Sequence, residues 1–335
     1  MQIFFDRRQL AHAPALELHN GGWAAHAEKP SRASVVADRL GACQPVRDFG
    51  RAPLARVHTP DYLDFLESAH ARWIEAGRSG DAIGYTWPVV RRRPLDLDRI
   101  DALLGRYSYD AGTPITADTW GAAYWGAQTA LSALAPLLDG SASASFALCR
   151  PPGHHAGADY LGGYCYLNKA AIAAQTARDA GHARVAILDI DYHHGNGTQD
   201  IFWADGDMFF ASIHADPATD YPFFWGHADE AGEGAGEGTT LNLPLPRGTR
   251  LADYLDALDR ALAAISTFGP TMLILSFGAD TFEGDPISHF AIRSADYRVI
   301  ASRIAAAGLP TLIVMEGGYA VAELGDNVAE LLSGF

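Results

Sequence analysis

The chain has 335 residues, of which 48% are hydrophobic and 19% are charged, which excludes a disordered chain and suits one large globular domain. With 25 Lys and Arg against 40 Asp and Glu, the formal net charge is −15, so we expect no nucleic-acid partner and a surface that tolerates cationic ligands. The three cysteines are too few for a disulfide framework, and no apolar run is long enough to span a membrane, so we expect a cytoplasmic protein without a membrane partner.

Short β-rich runs alternate with Ala- and Leu-rich stretches of helical spacing. The predicted strands are residues 3–5, 145–149, 185–190, 208–213, 272–277 and 312–315. The predicted helices are residues 119–138, 168–180, 251–268, 294–307 and 321–332, and two Gly-rich stretches, 77–93 and 226–238, are predicted as loops. This alternation predicts a single α/β domain over residues 1–335, with a mainly parallel central sheet and helices on both faces.

Polar residues collect just after the predicted strands, which is where open α/β sheets bind ligands. In the strongest cluster, two carboxylates and two imidazoles follow one apolar strand within six positions: Asp189, Asp191, His193 and His194. Such a cluster is unfavourable unless a metal or hydrogen bonds satisfy it. Since alternate residues of a strand share a face, at least two of Asp189, Asp191 and His193 can converge on one cation. The alternative is a satisfied polar network without a metal.

Three other predicted strands also end in polar clusters. These clusters contain His154 with His155, then Asp280, then Glu316, Gly317, Gly318 and Tyr319. Each of these clusters alone could have a structural role only, as a hydrogen-bonded histidine pair or a turn-forming aspartate does. Together, the four clusters supply metal ligands, a proton shuttle and a phenol that can donate to an oxyanion, which are the parts that metal-assisted hydrolysis needs.

The motifs RPPGHHAG, GGYCYLN, LDIDYHHGNGTQ, SFGADTFEGDP and MEGGY resemble those of the histone deacetylase family, and within it those of the bacterial acetylpolyamine amidohydrolases. The resemblance spans nearly the whole chain. It implies the arginase/deacetylase fold and a zinc-dependent hydrolysis of N-acetylated polyamines or other small acetylated amines. It also implies zinc ligands (Asp191, His193 and Asp280), catalytic residues (His154, His155 and Tyr319) and hydrogen-bond partners of the two histidines (Asp189 and Asn196).

The same resemblance implies a potassium ion held by the side chains of Asp189 and Ser212 together with main-chain oxygens. It implies a substrate channel lined by Gly163, Tyr164, Tyr221, Gly317 and Gly318, with Phe224 as the alternative to Tyr221. Tyr221 stands where an acetylpolyamine enzyme more usually has Phe. Glu17 would place negative charge at the channel entrance for a distal ammonium group, and Asp98 or Asp101 would add another.

Residues 73–94 resemble the inserted loop by which bacterial acetylpolyamine enzymes dimerise and narrow their entrance, which predicts a homodimer that acts on slender cationic amines. The main alternative is an acetyl-lysine peptide or protein deacetylase of class II type. An arginase-like ureohydrolase would need further bridging carboxylates near Asp280. A non-catalytic protein that binds acetylated ligands would have no need to retain every proposed ligand, both histidines and Tyr319.

Overall fold

A parallel β-sheet of seven strands forms the centre of the computed structural model, which describes residues 1–19, 21–88 and 96–335. The strands are β1 (Gln2–Phe4), β2 (Leu16–His19), β3 (Gly22–Ala25), β4 (Ala144–Ala147), β5 (Val185–Asp189), β6 (Met208–Ala215), β7 (Thr240–Leu245), β8 (Met272–Phe277) and β9 (Thr311–Met315). The order in the sheet is β1-β4-β9-β8-β5-β6-β7, while β2 and β3 pair separately as an antiparallel hairpin.

Helices cover both faces of this sheet. They are α1 (Pro30–Leu40), α2 (Pro60–Glu75), α3 (Ile100–Tyr107), α4 (Thr119–Leu138), α5 (Lys169–Asp179), α6 (Asn196–Phe202), α7 (Leu251–Phe268), α8 (Asp296–Ala305) and α9 (Val321–Leu332). Ile187 of β5 packs in one core cluster with α2, α4 and α5, whereas Leu188 packs in a second cluster with α1, α7, α8 and α9. Because both faces are buried, the strands are continuous apolar runs.

The predicted α/β class with a parallel sheet and helices on both faces is confirmed, as are all six predicted strands and all five predicted helices, with bounds within two residues. The sequence missed α1, α2, α3, α6, the β2–β3 hairpin and β7. Strand β7 contains Pro244, which argues against a central strand, and the structure resolves the conflict by placing β7 at the sheet edge.

The two predicted loops differ in how much of them the structure describes. Residues 77–88 lack regular helix or strand apart from an isolated bridge between Ala82 and Ile115, and residues 89–93 lie outside the described part of the chain. The predicted insertion at 73–94 begins in the last turn of α2, and its residues 89–94 likewise lie outside the described residues. The loop at 226–238 contains one short 3-10 turn, Gly234–Gly236. None of the described helices combines the length and hydropathy that a membrane crossing requires.

Candidate active site

The four polar clusters lie side by side because the strands that precede them are neighbours. Strands β4, β9, β8 and β5 are adjacent in the sheet, and each pair is parallel. Parallel strands end at the same edge, so the loops that follow them meet there. The histidine pair, the loop at 316–319, the turn with Asp280 and the segment after β5 therefore form one site.

Asp191, His193 and Asp280 form a compact group of potential metal ligands, with one donor atom of each within 4.8 Å of the others. His193 Nδ1 lies 3.1 Å from Asp280 Oδ2 and 3.4 Å from Asp191 Oδ1. Both carboxylates are buried. Two carboxylates and one imidazole are a donor set that zinc accepts. The strand alternation predicted that Asp189 shares a face of the strand with Asp191 and His193. In the structure, the Asp189 carboxylate contacts His154 instead.

Two glycines leave space around these carboxylates. A Cβ atom at Gly278 would overlap Asp191 Oδ2 and lie 2.6 Å from Asp280 Oδ1, and one at Gly317 would lie 2.6 Å from Asp191 Oδ2. Burial, together with the neighbouring Asp191 carboxylate, raises the pKa of Asp280 to about 7. A cation held by both carboxylates would remove this repulsion, so the residues fit a metal ion.

The adjacent histidines, His154 and His155, have different partners. His154 Nδ1 lies 2.9 Å from Asp189 Oδ2, whereas His155 Nδ1 lies 2.7 Å from Asn196 Oδ1. Burial lowers the pKa of both rings, but at His154 the carboxylates of Asp189 and Asp191 outweigh burial and raise the pKa to about 10. The pKa of His155 stays well below its ordinary value. The pair thus combines a ring beside a carboxylate with a ring beside a neutral amide.

The loop that carries these histidines is held by two buried ionisable side chains, those of Glu316 and Lys169. Glu316 Oε2 accepts hydrogen bonds from the backbone N–H groups of Gly153 (2.6 Å) and His154 (3.2 Å). Lys169 Nζ donates to the carbonyl oxygens of Pro151 and Pro152, both at 2.8 Å. The sequence reasoning missed Lys169, although a lysine inside the apolar run YLNKAAIAA was a visible anomaly.

Tyr319 is buried at the other side of the site and is held by contacts that the sequence did not reveal. Its backbone N–H donates to Asp285 Oδ2 at 2.7 Å. The Arg32 guanidinium lies 4.7 Å from the Tyr319 ring centroid and donates to the carbonyl oxygens of Gly318 and Glu316. Burial raises the pKa of the Tyr319 phenol, which stays a hydrogen-bond donor at neutral pH.

Two buried ion pairs of Glu28 connect the Tyr319 loop to the histidine loop. Glu28 Oε1 accepts from Arg32 at 2.9 Å, and Glu28 Oε2 accepts from Arg150 at 2.8 Å. Arg150 also donates to the backbone carbonyls of Gln9 and His12. Glu28 thus links the loop after β9, through Arg32, to the start of the histidine loop at Arg150.

The predicted channel residues lie on two sides of the histidine pair. Gly163 and Tyr164 both have positive φ angles, +54° and +64°, and a Cβ atom at Gly163 would overlap the His155 ring. The Tyr164 ring centroid lies 5.7 Å from that of Tyr319. The Tyr221 ring stands edge-on to His155 with centroids 5.2 Å apart. Phe224 is 79% exposed, so Tyr221 is the aromatic residue at the site.

The predicted entrance acids have different surroundings. Glu17 is buried next to Tyr164, and burial raises the pKa of its carboxyl group. Asp101 accepts hydrogen bonds from Arg78 and Arg99, and Asp98 pairs with Arg72. Glu17 therefore lies beside a channel residue, while Asp98 and Asp101 have their charges compensated by arginines.

The predicted potassium ligands Asp189 and Ser212 are partners in register on β5 and β6. Ser212 Oγ also lies 2.8 Å from Nδ1 of His214, a buried histidine that the sequence analysis did not name. It lies 3.2 Å from Nδ1 of His194, which the sequence placed in the strongest polar cluster without a specific role. The two residues are thus neighbours across adjacent strands, just before the segment that contains Asp191.

Known proteins of similar sequence match this chain over nearly its whole length. Residues 26–335 match the model of the histone deacetylase domain. The chain is 49% identical over 340 residues to acetylpolyamine amidohydrolase 2 of Pseudomonas aeruginosa, with all of this chain and 98% of that one covered. It is 44% identical over 346 residues to acetylpolyamine amidohydrolase of Mycoplana ramosa, with 100% and 99% covered.

Solved structures share the fold. The crystal structure of acetylpolyamine aminohydrolase from Burkholderia pseudomallei superposes with a TM-score of 0.95 at 41% identity, covering 100% of this chain and 98% of that one. The HDA15 HD domain superposes with a TM-score of 0.81 at 27% identity, covering 99% and 90%. The arrangement of sheet and helices is therefore common to these proteins and to this chain.

Proposed function

This chain belongs to the histone deacetylase family, and we propose that it hydrolyses the amide bond of small N-acetylated amines, with acetylated polyamines as its substrate class. The observation that carries the proposal is the convergence of Asp191, His193 and Asp280 beside a histidine pair and a buried tyrosine. Full-length similarity to proteins named acetylpolyamine amidohydrolase supports the substrate class.

Asp191, His193 and Asp280 would hold a metal ion, and we propose zinc because carboxylates and imidazole suit it. When bound, zinc supplies a Lewis acid that lowers the pKa of a water molecule and polarises the acetyl carbonyl. Gly278 and Gly317 keep the space beside the carboxylates free of side-chain atoms.

The histidine pair would move the protons. Because the Asn196 Oδ1 atom can only accept, its contact with His155 places the ring hydrogen on Nδ1 and leaves a lone pair on Nε2. His155 is therefore our proposed general base for the attacking water. Asp189 fixes the orientation of His154 in the same way, and the pair then returns a proton to the leaving amine.

Tyr319 would donate a hydrogen bond to the carbonyl oxygen as negative charge develops on it. The loop of Tyr319 is fixed by Arg32 and by Asp285, so the donor is positioned before substrate binds. Removing one such donor commonly lowers kcat by about 10²- to 10³-fold.

Several more detailed expectations, on the channel entrance, potassium, the oligomer and the location, remain predictions. Glu17 beside Tyr164 suits a cationic amine at the channel entrance. Asp189 and Ser212 offer hard oxygen donors for potassium. A homodimer formed through residues 73–94 and a cytoplasmic location are further expectations from the sequence.

Steady-state hydrolysis of N-acetylputrescine, N8-acetylspermidine and an acetyl-lysine peptide by the zinc-loaded protein tests the proposal. We expect a much higher kcat/KM for the two small amines, and a kcat about 10²- to 10³-fold lower in Tyr319→Phe. A higher kcat/KM for the peptide would overturn the polyamine substrate class and favour the peptide deacetylase. Absence of hydrolysis, with binding of the acetylated amines retained, would favour the non-catalytic binding protein.

A further inference from the structure

One carboxylate, that of Asp110, contacts both walls of the proposed channel. Its Oδ2 atom accepts a hydrogen bond from the backbone N–H of Gly163 at 2.7 Å. The same atom lies 2.9 Å from the hydroxyl of Tyr221, the aromatic residue predicted to form the other wall. Asp110 Oδ1 accepts from the backbone N–H of Gly112 at 3.1 Å, so the carboxylate is held by its own loop as well.

The Tyr221 hydroxyl has a second partner, the hydroxyl of Tyr109, at 2.6 Å. A carboxylate can only accept, so Tyr221 donates its single hydrogen to Asp110 and accepts the hydrogen of Tyr109. The rings of Tyr109 and Tyr221 are stacked, with centroids 6.1 Å apart and an interplanar angle of 22°. The Tyr221 ring is thus fixed both by stacking and by a charge-assisted hydrogen bond.

The wall formed by Gly163 and Tyr164 needs this support. Tyr164 has a φ angle of +64°, and a residue with a side chain is strained by about 1–3 kcal/mol in that region. The hydrogen bond from the Tyr164 N–H to Thr113 Oγ1, at 3.0 Å, joins Asp110 in opposing its relaxation. The loop of residues 110–113 therefore fixes the position of this wall.

We propose that the Tyr221 hydroxyl, by joining one channel wall to the Asp110 carboxylate that holds the other, sets the channel width and makes the enzyme select unbranched amine chains. This inference rests on the proposed function. Tyr221 acts here as a positioning residue, because its hydroxyl acts through Asp110 and through the placement of its own ring. A phenylalanine would keep the aromatic surface but would lose the link between the walls.

The physical basis is the rigidity of the two walls. A rigid slot excludes a methyl branch by steric contact, and one misfitting methyl group typically changes kcat/KM by about 10- to 200-fold. If the Tyr221 ring can move away, the slot accommodates the methyl branch with little steric repulsion. The difference in kcat/KM between the unbranched and the branched amine then becomes smaller. An unbranched chain fits the slot before and after it widens, so its kcat/KM changes by a smaller factor than that of the branched chain.

The test compares N-acetylputrescine with its analogue that has a methyl branch on the second carbon from the acetylated nitrogen. We expect the zinc-loaded wild-type protein to prefer the unbranched amine by about 10-fold or more, and Tyr221→Phe to reduce this preference to about 3-fold or less. The change should come from faster hydrolysis of the branched amine. A merely structural defect would lower kcat/KM for both amines equally and leave their ratio unchanged, which overturns the inference.

Tyr109→Phe is the matched control, since it removes the neighbouring hydroxyl but keeps the contact between Tyr221 and Asp110. We expect it to retain the wild-type preference. If it relaxes the preference as much as Tyr221→Phe does, the contact with Asp110 does not set the width.

If the wild-type protein cleaves N-acetylputrescine but accepts the branched amine equally well, only this inference fails. Cleavage of neither amine overturns the proposed function as well.

Discussion

The ammonium group of Lys169 donates a 2.8 Å hydrogen bond to the carbonyl oxygen of Pro151, although its side chain is fully buried. A second bond, to Pro152, has the same length. The lysine stem passes close to Gly153, where a Cβ atom would lie 2.9 Å from Lys169 Cδ. Burial lowers the pKa of Lys169, so only the carbonyls and the nearby acidic groups favour its charged form. A buried cation thus fixes the loop that positions both histidines.

Replacing Lys169 by methionine keeps most of the apolar stem and removes both hydrogen bonds. We expect kcat for N-acetylputrescine to fall by about 10- to 100-fold, because a small displacement of the histidine loop misplaces the proton-transferring groups. KM should stay near the wild-type value, since Lys169 does not line the channel. Steady-state kinetics give both constants. Lys29→Met makes the same change at an exposed lysine and should leave kcat unchanged. A wild-type kcat in Lys169→Met would contradict the role in positioning.

Removing the metal should abolish activity and also lower stability. Without a cation, Asp191 and Asp280 are buried close to each other, and their repulsion disfavours the folded state. Zinc that binds only the folded protein stabilises it by about 2.7 kcal/mol at 100 times its Kd. Urea unfolding with chelator and with added zinc measures this difference. Equal free energies of unfolding in the two conditions would show that these residues do not bind zinc.

The space beside the carboxylates can be filled by a single methyl group. In Gly278→Ala, the new Cβ atom would overlap Asp191 Oδ2, while the extended backbone at Gly278 (φ −98°) tolerates alanine. We therefore expect the zinc affinity to fall by about 10- to 100-fold or more. Competition with a chelating dye measures this affinity. Gly121→Ala is the control, because a Cβ atom there meets nothing within 4 Å. Wild-type zinc affinity in Gly278→Ala would show that the metal does not lie between these residues.

The residues whose place in the fold could be predicted from the sequence are those that follow a strand closely along the chain. Asp191 and Asp280 directly follow buried strands, so the β-rich runs placed them at the sheet edge. Glu28, Asp110 and Lys169 were missed because their partners are distant in sequence; Glu28 and Arg150, for example, are 122 positions apart. The choice between Tyr221 and Phe224 also required the structure, since both lie in one aromatic run and only the fold decides which ring faces inward.

Glu28 gives a prediction about stability and pH. Burial alone would raise the pKa of its carboxyl group, but Arg150 and Arg32 outweigh burial and hold the pKa at about 2, below the ordinary value of 4.5. Because the folded-state pKa is depressed, the contribution to stability is complete above pH 4.5 and is lost as the pH falls towards 2. At about 1.4 kcal/mol per pH unit, the shift from 4.5 to about 2 makes this contribution about 3.5 kcal/mol.

Glu28→Gln should therefore destabilise the protein most at neutral pH, by about 3–5 kcal/mol, because two buried guanidinium groups lose their charged partner. The difference in unfolding free energy between wild type and variant should shrink steadily below pH 4.5, because the carboxyl group of the unfolded wild type then takes up a proton while that of the folded protein stays ionised. Urea unfolding of both metal-free proteins from pH 7 to pH 3.5 measures this trend.

Glu67→Gln, which alters a half-exposed partner of Arg51, should change stability by less than about 1 kcal/mol at every pH. If the difference for Glu28→Gln is the same at pH 3.5 as at pH 7, Glu28 does not carry the buried charge that connects Arg32 to Arg150.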